Sequence, residues 1–400
     1  MSASPRFALA AAIFLPFALA YLLSFLMRVV NAVAGPPIMA ELSLSPSDLG
    51  LLTSVYLAGF ALFQLPLGVM VDRYGARRVE AATLLLAVAG TLLFAIADTL
   101  VELIVARFFI GVGLSLCLMA PITAYRAWFP PGTLPLITGL HMTFGAVGSA
   151  LGGFPAELML EALGWRGLFM GLAALIFVAA VGIVLIVPAR RELKETKPLG
   201  AMGRDLVTIA KSRALWRIAP LSGTAQAGYL SVAGLWMGPF LRDAGGLSAD
   251  AAGAWLSAVA LGLIVGFFGY GFVVGRATTA AAGERVFVVG SALAVAVGVF
   301  LILVPPAATG PLWVIYAALT SGGVVTYAQL NARFADGLAG RVNAMLNFIV
   351  FFVAFVVQWG FGVIVAAFPP EEAVLAHRTA LGVLAAIQLA SFLPLVLKSR

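Results

Sequence analysis

Arg28 is the residue whose chemistry demands most of its surroundings. It stands late in an apolar run, within Ser24-Phe25-Leu26-Met27-Arg28-Val29-Val30-Asn31. A lipid-facing arginine at a bilayer midplane costs at least about 2.5–3.5 kcal/mol, so such residues face a cavity or a partner. No acid accompanies it in the run, which makes it a fixed cation able to grip a carboxylate with its planar fork. The competing reading places Arg28 near the outer end of its helix, with the head group reaching the surface.

Other polar side chains stand in apolar runs that could surround the same space. They are Tyr21 and Asn31 beside Arg28, then Gln226, Tyr229 and Trp236, and further on Tyr327 and Asn347. Each is a candidate to touch a bound molecule. Polar groups inside a bilayer also bond one another across helices, and for any single residue that bonding is the commoner role. Tyr229 and Trp236 are two turns apart on one helical face, a spacing that ordinary packing also produces.

A second constellation is charged. Gly68-Val-Met-Val-Asp72-Arg73-Tyr-Gly75-Ala-Arg77-Arg78 separates two long apolar runs. Gly75 lets the chain reverse, while Arg73, Arg77 and Arg78 stay in water, so the pattern predicts a helical hairpin with a basic corner.

The elements that must position these residues follow from composition. The 400 residues are 62% hydrophobic and 10% charged, with a mean hydropathy of +1.07, against about 45–50% and 25% in soluble domains. At about 20 apolar residues per crossing, spans are expected at 8–34, 49–71, 79–97, 101–125, 136–158, 167–188, 215–238, 251–274, 286–304, 311–332, 342–367 and 377–397. This is an all-α integral membrane protein with twelve transmembrane helices. A polar connection, 189–213, divides it into an N-terminal six-helix bundle (1–188) and a C-terminal one (214–400), and Pro198 and Gly200 suggest a tether rather than a helix.

Charge fixes the expected topology. Of 24 Lys and Arg residues, Arg28 and Arg107 lie inside spans, and Arg166, Arg242 and Arg378 on one set of loops. All the others fall on the opposite set, so that face and both termini are expected in the cytoplasm, with the protein in a cell inner membrane. The net charge of +7 is therefore topological, and no nucleic-acid partner is expected. One cysteine and two histidines leave no disulfide framework and no transition-metal site. No glycine loop ending in Lys-Ser/Thr is present, so neither a nucleotide nor any other cofactor is expected.

The halves repeat. A shift of 203 residues carries Pro36 onto Pro239, Leu44-Ser45 onto Leu247-Ser248, Gly50 onto Gly253, Ser54 onto Ser257, Gly59 onto Gly262 and Gly68 onto Gly271. Parallel repeats of this kind build transporters that bind at the interface of the halves. Arg28 maps onto Ser231 and Asp72 onto Gly275, so neither charge is duplicated.

The motif at Gly68–Arg78 resembles the loop between the second and third helices of the major facilitator superfamily. Arg107-x-x-x-Gly-x-Gly113 is similar to that family's second motif, whose arginine serves coupling or holds the bundle together; pairing with Glu102 is the structural alternative. Gly139, Gly148 and Gly152 follow the family's antiporter frame, but Gly153 stands where a proline is expected. Arg28, Asn31, Pro36 and Leu44-Ser45 resemble the organophosphate/phosphate antiporters and anion:cation symporters, in which the equivalent arginine binds the anionic substrate. The phosphate exchangers' second arginine is replaced here by Ser231, which favours a carboxylate over a phosphate dianion. The resemblance implies gating roles for Gly68, Asp72, Arg73, Gly75, Arg77, Arg78 and Arg107.

The expectation is an alternating-access transporter of a small organic anion, acting as a monomer in the lipid bilayer with a proton or a counter-anion as coupling partner. The alternative is an exporter of apolar or cationic compounds. No carboxylate is expected at a span centre, and His141 is expected at the membrane interface.

Overall fold

The computed structural model describes residues 7–130, 133–188, 199–276, 279–334 and 338–396, and their regular structure is entirely helical. Among the described residues, ten helices have the length and apolarity of a membrane crossing. Span 5 and the irregular span 7 complete twelve.

Span 1 runs through Phe7–Val29 and Asn31–Leu42 with a hitch at Val30. Span 2 is Pro46–Tyr74 and span 3 Ala76–Ile96. Ser45 starts span 2 with a reciprocal capping box to Asp48, and the reversal after Tyr74 falls on Gly75, whose φ of +86° suits a residue without a Cβ. Span 4 is Leu100–Trp128, begun by a second capping box between Thr99 and Glu102. Glu102 is thereby committed to its own helix end and does not reach Arg107.

The fifth crossing is longer than expected. It starts at Leu134, breaks at Gly152 and Gly153, and continues to 163, where Gly164 at φ +66° turns the chain into span 6, 165–186. This glycine falls within the connection expected between 158 and 167, with Glu161 and Arg166 beside it.

Beyond span 6 the connection contains a regular helix, Leu199–Ala210. Gly200 sits in its first turn, where a weak helix former is tolerated. Ile209 is fully buried with Leu215, Leu330, Val342 and Leu346, and Asp205 pairs with Arg341 of span 11 at 2.6 Å. The second half of the expected tether is thus docked, while 189–198 lie outside the described residues.

Span 7 covers 213–244 and is wide-wound at Tyr229–Trp236 and again at Phe240–Ala244. Such π segments collect at functional sites. Spans 8 to 12 are Ala249–Gly275, Ala280–Leu303, Gly310–Asn331, Ala339–Ala366 and Ala373–Ala390. Large apolar side chains such as Leu85, Phe268, Phe272 and Leu303 stand exposed on the outside, as a lipid-facing surface requires.

The repeat is visible in packing. A Cβ on Gly59 would meet the Phe108 carbonyl oxygen of span 4 at 2.6 Å, and one on its repeat mate Gly262 the Val314 oxygen of span 10 at 2.3 Å. The same glycine brings the second helix of each half against the fourth.

Candidate functional site

Between the two sets of six spans lies a cavity of about 760 Å³, within the usual range for small-molecule sites. Its walls come from spans 1, 2, 4, 5, 7, 8, 10 and 11, with Leu206 of the linker helix at the rim. It follows span 2 from Phe60 to Val71 and span 11 from Phe351 to Gly340, about 16 Å along each helix. The shallow end reaches Arg126 and Arg341, on the face that carries the basic loops. Arg28, Phe60 and Phe351 form the deep end.

Span 1 presents Tyr21, Phe25 and Arg28 to this space, a four-then-three spacing that keeps all three on one face. Span 1 continues to Leu42, well past the expected end, so Arg28 lies deep in the helix and the surface-reaching alternative does not hold. Its guanidinium carbon is 4.4 Å from the Phe25 ring centre, 4.6 Å from Phe60 and 5.3 Å from Phe351. One Nη donates to Ser24 Oγ at 3.3 Å, and Nε has no partner. Arg28 forms no ion pair, and no carboxylate lines the cavity, among the described residues. Three ring faces attract the cation without cancelling its charge.

The other expected site residues divide. Tyr21, Gln226, Tyr229, Tyr327 and Asn347 all line the cavity. Tyr229 Oη meets Ser149 Oγ at 3.2 Å across the two halves, Tyr327 donates to Asn347 Oδ1, and Gln226 Nε2 donates to Ser222 Oγ at 3.0 Å. Asn31 and Trp236 are buried elsewhere. Asn31 Nδ2 donates to Thr53 Oγ1 at 2.9 Å, and Trp236 Nε1 to the Gln358 carbonyl at 2.9 Å. Ser231, the repeat mate of Arg28, spends its hydroxyl on the Ala354 carbonyl at 2.9 Å.

Of the expected gating residues, Gly68 lines the cavity and Gly75 makes the turn. Arg73 is exposed with its guanidinium 5.5 Å from the Tyr74 ring centre. Arg78 is exposed, and Arg77 donates to the Val184 carbonyl of span 6. The Asp72 side chain lies outside the described residues. Arg107 does not line the cavity and is fully buried. It donates to the Met27 carbonyl at 2.9 Å and lies over Phe94 and Phe169, which ties span 4 to span 1 beside Arg28.

Several contributors escaped sequence reasoning. Phe25, Phe60 and Phe351 look like ordinary apolar residues until the helices meet. His141 is a core residue, not an interfacial one: Tyr21 stacks on it at 4.4 Å, and its ring nitrogens meet Tyr125 Oη at 3.1 Å and the Cys117 carbonyl at 2.9 Å. Glu80, at the edge of the expected third span, is fully buried because that helix begins at Ala76. Its carboxyl oxygens have no hydrogen bond of normal length, and the Cys117 thiol is the polar group beside them.

On the face opposite the mouth the two halves are closed by backbone proximity. Ser257 of span 8 donates to the Ala150 carbonyl at 2.8 Å and accepts from the Phe154 amide at 3.0 Å. A Cβ on Gly362 would meet the Pro46 carbonyl at 2.7 Å, and one on Gly50 would meet Trp236 at 3.1 Å. Arg242 donates to the Ala32 carbonyl at 2.8 Å, fastening span 7 to span 1. Beyond this seal Glu41 binds Trp165 and Arg166; the hydrogen bond from Trp165, then Arg166, holds its carboxyl below the usual range.

Comparison with known proteins agrees with this architecture. The chain is 28% identical over 156 residues to the probable sulfoacetate transporter of Cupriavidus necator, a match covering 39% of this chain and 36% of that protein. It is 23% identical over 374 residues to the probable L-galactonate transporter of Escherichia coli, covering 84% and 80%. The first match thus spans about a third of its relative. The fold superposes with a TM-score of 0.79, at 18% identity and over 98% and 97% of the chains, on a bacterial homologue of the human lysosomal transporter Spinster in an inward-facing, occupied conformation. The profile of the Major Facilitator Superfamily matches residues 17–358, and the chain belongs to that family of membrane transporters.

Proposed function

We propose that the protein is a secondary transporter of small organic anions, with Arg28 as the anchor for the substrate carboxylate. The observation that carries this reading is the unneutralised guanidinium at the deep end of a cavity lined, among the described residues, by no carboxylate. At reduced dielectric one fixed cation attracts an anion far more strongly than in water, and the same field repels cationic cargo. Arg126 extends the positive sign to the mouth, where Arg341 is paired with Asp205, and this raises the local concentration of anions there.

In this reading the mouth and both termini face the cytoplasm across an inner membrane, an orientation that the basic loops support. Transport then requires the far-side seal to open and the mouth to close, with the two six-span halves rocking about the Arg28 level. The names of the relatives, sulfoacetate and L-galactonate transporters, are consistent with an acidic cargo.

The test is uptake into proteoliposomes of labelled carboxylates beside a quaternary ammonium dye. Saturable, protein-dependent carboxylate flux is expected, with no dye flux. The alternative, export of apolar or cationic compounds, is favoured by the apolar wall of the cavity and requires the reverse result.

A further inference from the structure

The polar groups of the cavity are mostly engaged already, and this bears on the body of the substrate rather than on its charge. Thr123, Thr320 and Ser321 donate their hydroxyl protons to the carbonyls of Met119, Tyr316 and Ala318 in their own helices. Tyr327 spends its proton on Asn347, and Tyr229 and Gln226 are bonded to Ser149 and Ser222. What remains at the deep end, among the described residues, is the Arg28 edge and, on the same face of span 1, the Tyr21 hydroxyl, which has no hydrogen-bond partner; the unpartnered Gln64 Oε1 and, nearer the mouth, Asn343 Oδ1 are themselves buried. The surrounding wall is apolar and comes from both halves, including Met119, Met142 and Phe267.

We propose that this cavity selects a monocarboxylate with a flat, apolar, preferably aromatic body carrying at most one or two hydroxyl groups, and discriminates against polyhydroxy sugar acids. The inference rests on the anionic reading above and specifies it. A carboxylate on Arg28 leaves the rest of the molecule beside Phe25, Phe60 and Phe351, whose ring faces suit another flat apolar group at offset-stacking distance. A hydroxyl on that body finds its partner in the Tyr21 hydroxyl. A sugar acid brings several hydroxyls into the same space, and each one left unpaired there forfeits about 1–3 kcal/mol. At the deep end Arg28 is the one cation among the described lining residues, which matches one negative charge.

The experiment uses the purified full-length protein and measures thermal stabilisation at constant ionic strength by benzoate, a hydroxybenzoate, glucuronate and benzylammonium. Benzoate and hydroxybenzoate are expected to stabilise at about tenfold lower concentration than glucuronate, with no response to benzylammonium. In Phe60→Leu, which keeps apolar volume but removes a ring face, the advantage of benzoate over glucuronate should shrink several-fold; Tyr21→Phe should remove the preference for hydroxybenzoate over benzoate. Glucuronate equal to or better than benzoate, or no benzoate response at all, overturns the aromatic selectivity and leaves the anionic reading standing. Stabilisation by benzylammonium in place of benzoate overturns the anionic reading and this inference together.

Discussion

The guanidinium carbon of Arg28 lies 5.3 Å from the centre of the Phe351 ring, and this contact joins the two halves of the chain. Arg28 stands on span 1, Phe351 on span 11, and Phe60 of span 2 completes the junction with its ring centre 4.3 Å from that of Phe351. The charge proposed to anchor the substrate is therefore touched by the half that, in the proposed mechanism, moves relative to it. Phe351→Leu keeps an apolar side chain and removes the ring face, a loss of about 0.5–2 kcal/mol. A drop of a few degrees in the unfolding temperature in detergent is expected. An unchanged temperature would mean that the ring serves only as filler.

Glu80 gives a prediction of opposite sign. A fully buried carboxyl without a normal hydrogen bond is a standing cost, about 1–3 kcal/mol by mutational scales, and an apolar side chain of similar length removes it. Glu80→Met should therefore raise the unfolding temperature. A clear decrease would show that the carboxyl is held by a partner that matters to the native fold.

The far-side seal depends on small residues. A Cβ on Gly153 would meet Ser257 Oγ at 2.5 Å and the Gly253 carbonyl at 2.7 Å, so Gly153→Val must separate span 5 from span 8. With Cys117→Ser as background, a cysteine placed at the buried position Ala32 should react faster with a membrane-impermeant maleimide once Gly153→Val is added. If the rate does not change, this contact is not what closes the far side.

Much of this arrangement was legible in the sequence, and the exceptions share a cause. Composition, span count and the 203-residue repeat are one-dimensional signals, strong enough to place twelve helices and to single out Arg28 by the cost of its charge. The turn at Gly164 falls inside the connection expected between 158 and 167; what the sequence understated was how far span 5 runs into it, because Glu161 reads as the start of a loop. The docked helix Leu199–Ala210 was hidden because Gly200 reads as a breaker, while the partners that hold the helix, Arg341 and Val342, are more than 130 residues away. Asn31 and Trp236 were grouped with the cavity because a polar residue in a span announces that it needs a partner without saying which. Phe60 and Phe351 carried no signal, since a ring against a guanidinium looks like core until both helices are in place.

The most direct measurement is ligand-induced thermal stabilisation of the wild type, Arg28→Lys and Arg28→Ala by benzoate and by glucuronate, with the unliganded unfolding temperature of each protein as the folding control. Lysine keeps the charge but loses the two-point grip on a carboxylate. Arg28→Lys should weaken whichever carboxylate the wild type binds by about tenfold, and Arg28→Ala should abolish the response, while both variants fold. A full carboxylate response in Arg28→Ala would contradict the account, because the anion would then be held somewhere other than the deep end of the cavity.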